Sequence, residues 1–163
     1  DFRASERMAQ LIIQVAGRSG RGHKAGRVLI QTHHPEHPTF THLLAGGYRR
    51  FAEHELELRQ SLSFPPFAAM ALLRAEALEE TPLAAFFETA RTHLIAAKGV
   101  HCIGPMPASQ PRRAGVQRMQ LILQCKDRST LHGALNAFLP DLYAWPESKR
   151  VRWSLDVDPL SLD

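Results

Sequence analysis

Apolar residues recur at two different periods along this chain, and the change of period divides it. Met8, Leu11, Ile12 and Val15 fall at helical spacing and predict an amphipathic helix with one buried stripe, opened by Ser5 as N-cap. Gly17, Gly20 and Gly22 break it. Arg27 to Thr32 reads Arg-Val-Leu-Ile-Gln-Thr, a short apolar strand of the sort buried in a parallel sheet. His33-His34-Pro35-Glu36-His37-Pro38 is a loop, since two prolines remove donors and bias their predecessors towards extended geometry. From Thr39 to about Leu62 the period is helical again. Leu43, Leu44, Tyr48, Phe51, Leu58 and Leu62 are its apolar set, and Arg49, Arg50, Glu53, Glu57 and Arg59 its solvated face. Gly46-Gly47 weakens or splits this helix, and Phe64-Pro65-Pro66-Phe67 ends it at a domain boundary.

Beyond that boundary strands and helices alternate. Residues 68–76 read as a strand, and Leu83, Phe86, Phe87, Ala90 and Leu94 as the apolar face of a helix. His101–Gly104 is a short strand followed by a proline-rich loop. In Val116–Gln124, Met119, Leu121 and Leu123 lie on one side and Gln120 and Gln124 on the other. Leu131, Ala134, Leu135 and Phe138 line a second helix, ending near Pro140. Val151, Trp153, Leu155 and Val157 alternate with Arg152, Ser154 and Asp156, a half-buried strand in which Trp153 faces the core. The order β-α-β-β-α-β is the ferredoxin-like arrangement, an α+β fold with both helices on one face of an antiparallel sheet.

Composition changes this picture little. Of 163 residues 44% are hydrophobic, enough for a core and against wholesale disorder. Lys plus Arg number 20 against 16 acidic residues; the net +4 suits a polyanionic partner without requiring one. Cys102 and Cys125 are the two cysteines and form no CxxC pair, so neither a zinc site nor a disulfide scaffold is expected, and a reducing cytosol is the default. No apolar run approaches the roughly 18–20 residues of a membrane span. Asp1 to Glu6 has neither the basic start nor the apolar stretch of a signal peptide, and without an initiator Met it reads as a cut inside a longer chain.

Gln14-Val15-Ala16-Gly17-Arg18-Ser19-Gly20-Arg21 carries the most chemistry. On a helix continuing through it, Gln14, Arg18 and Arg21 share a face opposite Met8, Leu11 and Val15. Phosphoryl transfer uses guanidinium groups held in this way, because negative charge builds on the γ-phosphate oxygens in the transition state. The stretch is not a phosphate-cradling P-loop: Lys24 is followed by Ala25, so the hydroxyl that would meet Mg²⁺ is missing. The other reading is a basic, glycine-rich helix end that stays solvated. Two further basic groups stand out. Pro111-Arg112-Arg113-Ala114-Gly115, with Arg118 just after, is a basic loop suited to phosphate contacts or an ordinary solvated hairpin. Lys126, Arg128, Lys149, Arg150 and Arg152 form a second positive area if their elements meet. His33, His34 and His37 lack carboxylate or cysteine ligands at useful spacing, so no metal site is expected. Asp156 and Asp158 straddle Val157 and carry no catalytic role.

Gln-x-x-Gly-Arg-x-Gly-Arg is similar to the last motif of superfamily 2 helicases, carried on the second RecA-like lobe. The wording around it resembles the PriA (primosomal protein N′) family of replication-restart helicases. The resemblance is carried by Glu6-Arg7 with Gln10-Leu11, Gln31-Thr32 with His37-Pro38, Phe64-Pro65-Pro66-Phe67, Gly104-Pro105 with Pro107, and Leu155-Asp156-Val157-Asp158-Pro159. It implies that residues 1–50 are the end of a RecA-like α/β helicase lobe, 51–66 a connecting helix and linker, and 67–163 a DNA- and partner-binding domain. Gln14, Arg18 and Arg21 would then face the ATP cleft, with Arg21 as the arginine finger. ATP, Mg²⁺ and zinc would be held by segments outside this chain, which alone would be inactive as an ATPase. The same resemblance favours DNA contacts for Arg112, Arg113 and Arg118. It implies that Arg128 binds the acidic tail of single-stranded DNA-binding protein, with His132 where the family can have Gln. The intact protein is expected to be a cytoplasmic 3′-to-5′ DNA helicase acting at forked DNA with other primosome proteins. The rival reading is a stand-alone ferredoxin-like nucleic-acid-binding or ribosome-type module with residues 1–50 as a basic extension.

Overall fold

The computed structural model describes residues 1–19 and 27–162. It divides into two compact units, Asp1–Leu62 and Ser63–Asp163.

The first unit is built on α1 (Ala4–Ala16) and α2 (Pro38–Ser61). Helix α1 starts one residue before the expected cap: its N-cap is Arg3, without a side-chain bond, and the Asp1 carbonyl accepts from Ala4 N at 3.2 Å. Helix α2 opens with Pro38 in its first turn, where a missing N–H costs nothing, and His37 Nδ1 accepts from Thr39 N. Gly46 and Gly47 leave helical geometry and kink α2, Gly47 at φ 66°.

The two helices bury less apolar and more polar surface than their periodicity predicts. Ala9 is fully buried on α1, but Leu11 and Val15, expected in the core, are exposed. On α2 Phe51 is buried, while Leu58 and the C-capping Leu62 are exposed and Arg59, expected in solvent, is buried. The inversion has a cause in charge. Arg59 donates from Nε to Glu55 at 3.1 Å and from Nη2 to Glu6 at 2.8 Å, and its guanidinium lies 5.4 Å from the Phe2 ring centre. A buried guanidinium is tolerated only with such partners. The strand expected at 27–32 is not assigned, and Leu29 stays 93% exposed. No strand among the described residues of this unit is available to pair with it, and an unpaired strand buries nothing.

The second unit runs β1 (Ala69–Ala77), α3 (Glu80–Ile95), β2 (Val100–Arg113), β3 (Val116–Cys125), α4 (Arg128–Ala144), a 3₁₀ turn (Glu147–Lys149) and β4 (Arg152–Val157). Its sheet is antiparallel, in the order β2-β3-β1-β4. The expected β-α-β-β-α-β succession is therefore present, an α+β architecture. Odd-numbered residues of β1 and β3 (Ala71, Leu73, Ala75, Leu121, Leu123) meet Leu83, Phe86, Phe87, Leu94, Leu131, Leu135, Phe138 and Leu142 in one core, so both helices cover the same face. Each large side chain so buried stabilises the unit by about 1.5–3 kcal/mol. On the other face Met70, Leu72 and Ile122 are buried beneath Phe64, Ile103, Met106 and Leu162.

Two boundaries differ from expectation. Helix α4 continues through Pro140 to Ala144, because Leu142 beyond the proline is fully buried and holds the last turn to the core. The proline-rich segment after Gly104 is strand, not loop, and β2 extends to Arg113. Strand β2 is an edge, so Pro105, Pro107 and Pro111 cost it fewer ladder bonds, and its register shifts between Ile103 and Met106 and again between Pro107 and Arg112.

Candidate nucleic-acid interface

The hairpin joining β2 to β3 turns at Ala114 and Gly115, both with positive φ (50° and 82°). Two consecutive left-handed residues match the right-handed twist of the flanking strands, which makes the tight turn possible. The expected basic loop is thus a short hairpin. Arg113 pairs with Val116 and Arg112 with Gln117. Because cross-strand partners share a face and neighbours alternate, the pleat separates the two arginines. Arg113 goes with Val116 and Arg118 to the helix-free face, and Arg112 with Gln117 to the opposite one.

On the helix-free face the registers of β1, β3 and β4 bring further charges alongside. Glu76 on β1 stands opposite both Arg118 on β3 and Arg152 on β4. Its two oxygens divide between them, Arg118 Nε at 3.6 Å from Oε2 and Arg152 Nη1 at 3.5 Å from Oε1. Two residues back along β1, Arg74 lies 3.4 Å from Asp156 and donates to the Ser161 carbonyl at 3.1 Å. Arg74, Arg113, Arg118 and Arg152 line one cavity of about 360 Å³ with Glu76, Ser154 and Trp153 among its walls. Among the described residues that line it, four carry guanidinium groups and one a carboxylate, a lining whose charge suits an anion. Arg74 and Glu76 were not singled out from sequence. Their signal was present, as two charged residues at i, i+2 on an otherwise apolar strand, but only the strand register shows which charges face them.

The second positive area does not assemble. Arg152 joins the cavity just described, Lys149 lines another with Leu139, Tyr143 and Trp153, and Lys126 and Arg128 line a third with Pro65, Pro66, Asp127 and Asp158. Arg128 opens α4 behind Asp127, whose carboxylate caps the helix by accepting from Thr130 N at 2.8 Å. That bond, with one from the Thr130 hydroxyl, holds the Asp127 carboxyl below the usual carboxylate range. The Arg128 guanidinium is exposed and sits 3.1 Å from Asp158. His132, one turn on, is exposed. Asp156 and Asp158 thus each hold an arginine.

In the first unit α1 ends at Ala16, with Gly17 as its C-cap and Arg18 in the following turn. The helix does not continue through Arg18, so Gln14 and Arg18, both exposed, do not share a helical face. Arg21 lies outside the described residues. Their donor set, an amide and a guanidinium without a carboxylate, fits phosphate oxygens and not a magnesium ion. Among the described residues no three His, Cys, Asp or Glu side chains are grouped to hold a metal ion, and no helix is long and apolar enough to cross a membrane. Cys102 and Cys125 are unbridged, and burial raises both thiols above their ordinary range.

Residues 60–160 match the model of the primosomal protein N C-terminal domain. Over 169 aligned positions the chain is 44% identical to the replication restart protein PriA of Haemophilus influenzae, covering 99% of this chain and 22% of that protein. The proteins of the same name from Synechocystis and Bacillus subtilis are each 32% identical, over 100% and 98% of this chain and 19% and 20% of their own lengths. The chain therefore spans about a fifth of the length of these relatives.

Proposed function

The chain belongs to the family of the primosomal protein N C-terminal domain, and from that premise we propose that it is the C-terminal part of a bacterial ATP-dependent 3′-to-5′ DNA helicase. That helicase recognises stalled or branched replication forks and restarts replication by primosome assembly in the cytoplasm. Within it, the ferredoxin-like unit touches the sugar–phosphate backbone near the branch through Arg113 and Arg118. The observation that carries this role is their meeting in one arginine-lined cavity on the helix-free face of the sheet. Arg112, on the opposite face, adds at most a separate contact from the hairpin edge. Guanidinium–phosphate contacts position a duplex without reading its bases, which is what a structure-specific fork binder requires.

Residues 1–50 act as the end of the second RecA-like lobe. Gln14, Arg18 and Arg21 face the ATP cleft there, and ATP and Mg²⁺ are held mainly by segments outside this chain, as is zinc. When bound, the nucleotide supplies the γ-phosphoryl group; the part of these residues is to donate to its oxygens, Arg21 as the finger. The identity to the relatives runs through this first unit as well, which a stand-alone module with a basic extension does not explain. Arg128 and His132 take the acidic tail of single-stranded DNA-binding protein. Arg128 already lies 3.1 Å from a carboxylate, that of Asp158, on an exposed surface.

The test is a salt titration of fork-DNA binding by the chain and by its Arg113→Ala/Arg118→Ala variant. Each lost duplex phosphate contact removes roughly 0.9 from the slope of log K against log salt, so the double variant should be flatter by up to about 2 and weakened alike on different fork sequences. An unchanged slope would return the hairpin to a merely solvated role.

A further inference from the structure

The helix-free face of the sheet is split along its strands. At one end Met70, Leu72 and Ile122 are covered by Phe64, Met106 and Leu162. At the other, β1, β3 and β4 present Arg74, Glu76, Arg118 and Arg152, which line one cavity with Arg113. Glu76 is the only carboxylate lining that cavity among the described residues, and it stands between Arg118 and Arg152 across β1.

The bridge is loose. Both N–O distances, 3.6 and 3.5 Å, exceed the roughly 2.7–2.9 Å of a formed charge-assisted hydrogen bond. A guanidinium carries five N–H donors, so most of those on Arg118 and Arg152 remain for another acceptor. The Arg152 side chain is 88% exposed, and a ligand can reach it without opening the fold. Glu76 thus stands between the two arginines across β1 without using them up, while its charge opposes any anion that enters.

We propose that the phosphate track of the bound nucleic acid does not stop at the hairpin but crosses the sheet to β4, with Arg152 as a phosphate contact, and that Glu76 is the built-in counter-ion that limits its affinity. This rests on the reading of Arg113 and Arg118 as backbone contacts and extends it to two residues on other strands. Holding the affinity down suits a protein that must leave a fork after acting on it, because a phosphate must share Arg118 and Arg152 with a resident carboxylate.

The experiment measures fork-DNA binding by the full chain across a salt series, with Glu76→Gln, Arg152→Ala and Arg113→Ala/Arg118→Ala variants, each checked by thermal melting. Glu76→Gln keeps the shape of the side chain and one of its two acceptor oxygens but removes its charge. It should tighten binding by about five-fold at low salt and steepen the salt slope by up to roughly 0.9, while Arg152→Ala should flatten the slope by about the same amount. If the hairpin double variant loses affinity and slope while Glu76→Gln and Arg152→Ala bind like the parent, the track ends at the hairpin; this proposal falls and the proposed function stands. If the hairpin variant is unchanged, that reading fails instead, whatever Arg152 does. Weaker binding by Glu76→Gln at an unaltered melting temperature would also overturn the proposal, since a counter-ion cannot be needed by the anion it opposes. Binding of polyglutamate in place of DNA, lost in Arg152→Ala, would overturn it in favour of an acidic protein partner.

Discussion

At the scale of single residues, the first unit is held by charge where its sequence promised an apolar stripe. Glu6 accepts from Arg3 Nε and Nη2 at 3.1 and 3.0 Å and from Arg59 Nη2 at 2.8 Å. The bond from Arg3, then that from Arg59, holds its carboxyl at about 2 against an ordinary 4.5, in spite of partial burial. A depressed acid stabilises the folded state fully above the unfolded value and ceases to do so as pH falls through the folded one. The contribution of Glu6 should therefore be complete above about pH 4.5 and lost by about pH 2. Glu6→Gln is expected to cost α1 about 1–2 kcal/mol of protection near neutrality, the lower range for a bond to a charged group that is partly screened. Amide hydrogen exchange of α1 in parent and variant checks it, and the difference should shrink on acidification. Arg59→Ala should cost more, roughly 3 kcal/mol, because it leaves Glu6 and the buried Glu55 both short of a partner. Unfolding of α2 followed by the same exchange method reads it.

At the scale of elements, periodicity served well wherever a helix or strand buries one apolar face against its own unit. The core faces of α3, β3 and β4 lie where alternation and helical spacing put them, since Leu83, Phe86, Phe87, Leu94, Leu121 and Leu123 have no other place to go. It misled at β2, where prolines were read as loop although an edge strand with shifted register accommodates them. It misled again on α2, where an arginine buried by its ion pairs has the same spacing as one in solvent. The candidate site was half legible. Arg113 and Arg118 were named from a run of basic residues, but Arg74 and Glu76 belong to the site only through strand register, which composition does not encode. The hairpin itself has a weak point that follows from its turn. Ala114 is held at φ 50°, where a Cβ costs about 1–2 kcal/mol and asparagine is better tolerated. Ala114→Asn should stabilise the second unit by about 1 kcal/mol, seen as a rise of roughly 4–8 °C in thermal midpoint. Gly115→Ala, at φ 82°, should move the midpoint the other way.

At the scale of the whole molecule, the two units differ in how completely each encloses its own core. The core clusters of the second unit are built from its own residues. The helix-side core draws on β1, α3, β3 and α4, and the small cluster opposite is closed by Phe64, Ile103, Met106 and Leu162. In the first unit Leu11, Val15, Leu29 and Leu44 stay exposed, and Ile12, Ile13, Val28, Ile30, Phe40 and Leu43 line an open apolar cavity of about 340 Å³. Residues 63–163 made alone should therefore melt in one cooperative transition, with β1 and β3 the slowest to exchange hydrogen. They also carry Arg113, Arg118, Arg152 and Glu76, so fork binding should survive the removal of residues 1–62 with its salt slope intact. The alternative source of positive charge is explicit in the sequence: Arg18, Arg21, Lys24 and Arg27 lie within ten residues of one another. If those four made the phosphate contacts, deletion of the first unit would flatten the slope by up to roughly 3–4, at about 0.9 per contact. A parallel salt titration of the chain and of residues 63–163 separates the two, and an equal slope assigns the DNA contacts to the sheet.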